Sequence, residues 1–113
     1  MATYLISFPS TAFDVPPEDF DAVSDASRAV VAAAKAAGAW VFGGAIDESV
    51  ATVLVSGDGT VTEGSHPETA GMGGGYALLE IATRDEAVEW AARFAAACRC
   101  PQELRVFHFD PES

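Results

Sequence analysis

The sequence predicts an α+β domain with a ferredoxin-like antiparallel sheet and two helices on one face of that sheet. Short β-rich runs and two amphipathic stretches follow one another in the order β, α, β, β-hairpin, β, α, β. The length of 113 residues fits one domain. Half of the residues are hydrophobic and a fifth are charged, which excludes a disordered chain.

The first part of the chain predicts a strand, a helix and a second strand. Pro9 stops a β-rich run, and Pro16 and Pro17 can begin a helix because its first turn needs no backbone donor. Apolar residues recur at helical spacing up to about Ala37, where Gly38 ends the helix. The predicted elements are a strand over 4–8, a loop over 10–15, a helix from 16–17 to about 37 and a strand over 39–43.

The second part predicts a hairpin, a strand, a helix and a closing strand. The sequence Gly57-Asp58-Gly59 is a strong turn signal between two β-rich runs. Thr83 and Glu86 form a capping box, since the Thr83 hydroxyl can accept the backbone N–H of Glu86. The predicted strands cover 50–56, 60–63, 76–82 and 103–109, with a glycine-rich connection over 64–75 and a helix after 83. We expect a single domain over 1–113, with its core over 3–109 and a frayed tail over 110–113.

The predicted sheet is apolar on both faces, although the helices cover only one of them. Bulky side chains come from Trp40, Phe42, Leu54, Leu79 and Phe107, with Trp40 and Phe42 expected on the same face. A sheet face without helices must be buried elsewhere, and a second copy of the chain is the simplest cover. We therefore expect a homodimer joined face to face through its sheets.

The charge balance excludes several classes of partner. Seventeen acidic residues outnumber six basic ones, which gives a net charge of −11. Nucleic acids and anionic membranes are bound through Lys and Arg, so neither is an expected partner. No apolar run reaches the roughly 18 residues of a membrane span. The N-terminus lacks the features of a signal peptide, so we expect a cytoplasmic location.

The sequence contains no recognisable metal or cofactor motif. Cys98 and Cys100 are separated by one residue, which is too short for a normal disulfide loop and does not match a zinc site. The glycines over 71–75 lead into a strand, and no Lys-Ser/Thr pair follows them, so both phosphate-loop patterns fail. His108 is expected at a sheet edge or interface. We therefore expect no metal and no cofactor.

The candidate catalytic residues lie at the start of the glycine-rich connection. Histidine titrates near neutral pH, and His66 has carboxylates close by in Glu63 and Glu68, which is the usual composition of an acid–base site. The alternative is a solvated loop without a catalytic role. The weaker candidates for ligand binding are Asp47, which could point into the same cleft, and the aromatic residues Tyr76 and Trp40.

The second half of the chain contains five motifs: VTEG at 61–64, PET at 67–69, GGY at 74–76, DEAVEWAA at 85–92 and ELRV at 103–106. In this order, these motifs resemble the YCII-related family in its DGPF branch. The resemblance covers about 38–107 and implies a dimeric α+β barrel. Where the branch has Asp-Gly-Pro-Phe, this chain has EGSH at 63–66, so Glu63 stands in the position of the motif's Asp and the chain is a divergent member.

Two functions fit this interpretation. The first is a cofactor-free enzyme, in which His66 and Glu63 transfer protons on a small organic substrate while the glycine-rich connection closes over a pocket. The second is a non-catalytic ligand-binding or accessory protein. For this second function, the resemblance implies association with a sigma factor as one example of a partner.

Overall fold

The computed structural model describes all residues from Met1 to Ser113. It has two helices and a four-stranded antiparallel sheet, so the predicted α+β class is confirmed. The strands are β1 Ala2–Phe8, β2 Trp40–Ala45, β3 Val53–Val55, β4 Val61–Glu63, β5 Gly75–Ile81 and β6 Glu103–Val106, and the helices are α1 Phe20–Ala36 and α2 Arg84–Cys98. No helix combines the length and the apolar character that crossing a lipid bilayer requires.

The main sheet has the strand order β2-β5-β1-β6, and all neighbouring strands are antiparallel. β1 is central, so that Tyr4 lies opposite Leu79 of β5 and Val106 of β6. β3 and β4 pair only with each other and form a separate hairpin. The sheet therefore has two free edges, at β2 and β6, and does not close into a barrel within one chain.

Both helices pack on one face of the sheet. A single buried cluster joins Tyr4, Ile6 and Leu79 of the sheet to Ala34 of α1 and Phe94 of α2. Ile6 is 1% exposed and Leu79 is fully buried. The many alanines on the inner sides of the helices let the helices lie close to the strands, where apolar surface is removed from water.

The opposite face, which we call the open face, carries no helix. Leu78 of β5 lies opposite both Phe42 of β2 and Leu5 of β1, so these three side chains form a row across three strands. Arg105 of β6 extends this row and forms an ion pair of 3.0 Å with Glu103. Phe42 is 66% exposed, which leaves an apolar row uncovered in the single chain.

A register irregularity in β2 separates two aromatic residues that were expected on the same face. Trp40 pairs with Leu79, whereas Phe42 pairs with Leu78. Because neighbouring residues of β5 point to opposite faces, Trp40 lies on the helix side and Phe42 on the open face. The ring of Trp40 occupies the space that a side chain at Gly43 would need, which explains why glycine stands there.

Three predicted elements are shorter in the structure by three or more residues. Pro16 leads into a short 3-10 turn over Pro17–Asp19, so α1 begins only at Phe20. The first strand of the hairpin covers Val53–Val55 instead of 50–56. β6 ends at Val106 instead of 109, although the backbone N–H of Phe107 still donates to the carbonyl of Thr3 at 2.9 Å.

The single chain exposes more surface than a globular protein of its mass. Its accessible area is 7676 Å², whereas a chain of 11.7 kDa is expected to expose about 5,900 Å². Its radius of gyration is 15.8 Å, compared with about 13 Å for a compact domain of this length. The open face and the protruding β3–β4 hairpin both add to this excess.

Candidate functional site

The first candidate site, which we call the loop cleft, lies between the connection after β2 and the connection after β4. Its volume is about 530 Å³, and Ile46, Val50 and Met72 form its apolar walls. The backbone N–H of Ile46 donates to the carbonyl of Gly74 at 2.9 Å, which ties the base of one connection to the other.

Two polar side chains are held in fixed positions in the wall of the loop cleft. The carboxylate of Glu48 accepts a hydrogen bond from the Ser10 hydroxyl at 3.1 Å. A side chain at position 73 would collide with this carboxylate, so only a glycine allows the backbone to pass so close to Glu48. The Tyr76 hydroxyl donates to the carbonyl of Met72 at 2.7 Å. Glu48 and Tyr76 therefore offer an acceptor and a hydroxyl to a ligand in this cleft.

Asp47, the predicted neighbour of this cleft, points elsewhere. Its carboxylate accepts hydrogen bonds from the Ser49 hydroxyl at 2.6 Å and from the Ser49 backbone N–H at 3.0 Å. These two bonds lower the pKa of Asp47, the bond from the hydroxyl having the larger effect. The structure thus uses Asp47 to shape a turn, and the next residue, Glu48, lines the cleft.

The three predicted catalytic residues are all exposed. No hydrogen bond or ion pair joins the side chain of His66 to that of Glu63 or Glu68 within the chain. His66 precedes a short 3-10 turn, and its carbonyl accepts from the backbone N–H of Thr69 at 3.0 Å. Ser65 and Thr69, on either side of His66, line the loop cleft, while His66 itself lies outside its lining.

The second candidate site, which we call the sheet–helix cleft, lies between α1 and the β2 edge of the sheet. Its volume is about 630 Å³. Trp40, a predicted ligand-binding residue, lines it, with its ring centroid 6.4 Å from that of Phe94. Ile6 and Val31 add aliphatic surface, and Gln102 adds a side-chain amide. Such a concave, largely apolar surface with few polar groups is typical of small-molecule sites.

The sheet–helix cleft is positively charged, although the protein as a whole is acidic. Arg28 and Lys35 are its only charged lining residues, and no Asp or Glu lines it. Neither residue takes part in the two ion pairs of the chain. The sequence offered one signal for this pair, namely their spacing of seven residues, which places both on one face of α1 with Val31.

Most of the other cations already have partners. Arg99 forms an ion pair of 2.8 Å with Asp19, and Arg93 stacks over the ring of Trp90 at 4.3 Å from its centroid. Arg105 is paired with Glu103 on the open face. Arg28 and Lys35 thus stand apart as neighbouring cations that no carboxylate neutralises.

Cys98 also lines the sheet–helix cleft, but its environment does not favour nucleophilic chemistry. Burial raises the pKa of the Cys98 thiol, and the neighbouring Cys100 raises it further. A thiol with a raised pKa stays protonated at neutral pH and reacts slowly. Both cysteines are free, and the chain contains no group of three or more His, Cys, Asp or Glu side chains arranged to hold a metal ion.

The fold and its two clefts define a small α+β domain with one sheet face covered by helices and one left open. Residues 4–109 match the family model of the YCII-related domain, and the chain belongs to this family. The resemblance to the YCII-related family noted over 38–107 is therefore confirmed at the level of the family, and the match extends it through β1 and α1. Comparison with the curated proteins gives no match.

Proposed function

We propose that this protein is a homodimer that binds a small organic molecule in the sheet–helix cleft. The observation that carries the proposal is the lining of this cleft, which joins Trp40 and Phe94 with aliphatic side chains in a volume of about 630 Å³. Small-molecule sites commonly enclose about 300–1,000 Å³. The lining contains neither a carboxylate nor a histidine, which favours binding over proton transfer. A protein of this kind serves a sensing or accessory role.

The dimer in this proposal is the ferredoxin-like domain paired into an α+β barrel, in the manner of the DGPF branch. The strand order β2-β5-β1-β6 and the two helices on one face support that topology. The accessible area of the single chain, 7676 Å², exceeds the area expected for its mass by about 1,800 Å². This excess is larger than the roughly 800 Å² that each partner buries in a standard interface, so it leaves room for one. The open face with its row of Phe42, Leu78 and Leu5 is the surface that the second copy would cover.

The β3–β4 hairpin supports the same assembly. Val53, Val55 and Val61 share one of its faces, and each of these side chains is at least 46% exposed. A two-stranded hairpin alone is marginally stable in water. Packing these valines against the partner protomer would give the hairpin the apolar contacts that its own chain does not supply.

Filling the sheet–helix cleft is expected to abolish ligand binding. Val31 is half-buried and lines the cleft, so Val31→Trp places an indole ring where the ligand lies. Phenylnaphthylamine, a neutral probe that fluoresces in apolar surroundings, should bind the wild type and lose at least about tenfold in affinity in the variant. Val88→Trp, at an exposed apolar position on α2, is the matched control and should bind like the wild type. Equal affinities in all three proteins would place the ligand elsewhere.

The second candidate function is acid–base catalysis at the loop cleft by His66 and Glu63, with Glu68 beside them. It is favoured by the fixed Glu48 carboxylate and Tyr76 hydroxyl, which lie in the same cleft as the neighbours of His66. A closing connection would bring the imidazole over a bound substrate.

If the second function is correct, substitution of His66 should strongly reduce the activity, and substitution of the other histidine, His108, should leave it unchanged. In a screen of lactones and enols, any activity found should lose about 10²–10⁴-fold in kcat/KM in His66→Ala, the range that general acid–base catalysis contributes. Glu63→Gln should also reduce it. His108→Ala is the matched control, because His108 is exposed beyond the end of β6. If His66→Ala and His108→Ala keep the same activity, His66 is not the catalytic group.

A further inference from the structure

We propose that the ligand of the sheet–helix cleft is an apolar organic anion, a ring-bearing carboxylate whose charge lies against Arg28 and Lys35. This inference rests on the proposed function, because it names the chemical class of the molecule bound there. The aromatic body of such a ligand would lie on Trp40 and Phe94, whose rings line the cleft.

The distribution of charge is the first step. The chain carries 17 acidic residues and six basic ones, so a surface chosen at random is rich in carboxylates. The sheet–helix cleft has the opposite composition, with two cations and no carboxylate. An acidic protein repels anions from most of its surface, and a local pair of cations in a partly apolar cleft creates a region that attracts them.

Neither cation has another structural role that fully explains the pair. Lys35 lies in the last turn of α1, where a positive charge interacts favourably with the helix dipole. Arg28 lies in the middle of the helix, where the dipole has little effect. Asp25 is three residues before Arg28 and within reach on the same helix, yet the two do not form an ion pair. The guanidinium of Arg28 is therefore available to a ligand.

The positions of Arg28 and Lys35 on α1 allow both side chains to bind the same carboxylate. A spacing of seven residues corresponds to about 10.5 Å along the helix axis, and both side chains are long and flexible. Val31 lies between them and also lines the cleft. An arginine can donate two parallel hydrogen bonds to a carboxylate, while a lysine adds a second, less directional charge. Gln102 supplies a further side-chain amide to the same cleft.

The experiment compares two probes with the same aromatic body. Phenylnaphthylamine is neutral, and anilinonaphthalene sulfonate carries one negative charge on that body. At low salt the anionic probe should bind the wild type about tenfold more tightly than the neutral one. Arg28→Gln and Lys35→Gln should each lower the ratio of anionic-probe to neutral-probe affinity by about threefold, and the double variant should bring that ratio to about one. Naphthoate should displace the anionic probe, and its uncharged amide should do so only at about tenfold higher concentration.

A third variant separates a local site from a general effect of net charge. Arg84→Gln also removes one positive charge, but Arg84 begins α2 and does not line the cleft. It should bind both probes like the wild type. All three substituted residues are exposed, and circular dichroism verifies that the variants fold.

The possible outcomes distinguish the two proposals. If the neutral probe binds and Val31→Trp weakens it, but the anionic probe gains nothing from Arg28 and Lys35, this inference is overturned and the binding function stands. If Arg84→Gln weakens the anionic probe as much as Arg28→Gln, the effect is long-range and the inference also falls. If Val31→Trp changes neither probe, the cleft is not a ligand site and both proposals fail.

Discussion

Leu78→Glu is expected to convert the proposed dimer into a monomer. Leu78 lies at the centre of the apolar row on the open face, between Phe42 and Leu5. In a two-fold symmetric interface each substitution occurs twice, so two carboxylates would be buried without partners. The effective cost of burying an unpaired ion is several kcal/mol for each one. That is enough to dissociate an interface of standard size at micromolar concentration.

The measurement is the molar mass in solution, by size-exclusion chromatography with light scattering. The wild type should show twice the chain mass of 11.7 kDa, and Leu78→Glu should show the chain mass itself. Val88→Glu adds the same charge at an exposed apolar position on α2 and should remain dimeric. A monomeric wild type, or a dimeric Leu78→Glu, would mean that the open face is not the interface.

Leu79→Ala is expected to lower the free energy of unfolding by about 3 kcal/mol, within the range of about 2–5 kcal/mol for such core substitutions. Leu79 is fully buried and belongs to the cluster that joins β1 and β5 to both helices. The cost includes the lost burial of the side chain and the cavity left among neighbours such as Tyr4 and Trp40, which flank it across the sheet. A loss of this size is a large share of the roughly 5–15 kcal/mol that stabilises a typical domain.

The adjacent residue on the same strand provides the matched control. Leu78→Ala removes the same atoms from the open face instead of the helix side. Urea unfolding followed by circular dichroism, at two protein concentrations, separates the two effects, because dimer stability depends on concentration and protomer stability does not. Leu79→Ala should lower stability at both concentrations, whereas Leu78→Ala should act mainly through the concentration dependence. Equal losses from both substitutions would show that the two faces of β5 are buried alike.

Elements with strong local signals could be predicted well from the sequence. The β-rich run before Pro9 is β1, and the glycine at 38 follows α1 with a φ of 73°. Thr83 caps α2, as its hydroxyl accepts the Glu86 N–H at 3.2 Å. The hairpin turn around Asp58 also forms as expected, with the Asp58 carboxylate accepting from the backbone N–H of Thr60 at 2.9 Å. In these places neighbouring residues alone determine the backbone.

Features that depend on distant partners could not be predicted in the same way. The irregularity between Trp40 and Phe42 arises from pairing with β5, more than 30 positions further along the chain. The hairpin carries β-rich residues, but nothing in its own sequence shows that it stays apart from the main sheet. The sheet–helix cleft forms only because Arg28 and Lys35 of α1 and Trp40 of β2 line the same space. Tertiary packing brings these residues together, and the local sequence of neither element indicates it.

The central position of β1 has a consequence for how the chain folds during synthesis. β1 is made before the other strands of the sheet, yet its two neighbours are β5 and β6, which are made after all the others. The middle of the sheet therefore cannot assemble until β5 and β6 have left the ribosome, and pairings over such long separations form slowly. Until then Tyr4 and Ile6 of β1 lack the neighbours that later bury them. We expect the nascent chain to depend on prompt completion, or on a chaperone, to avoid aggregation through this first strand.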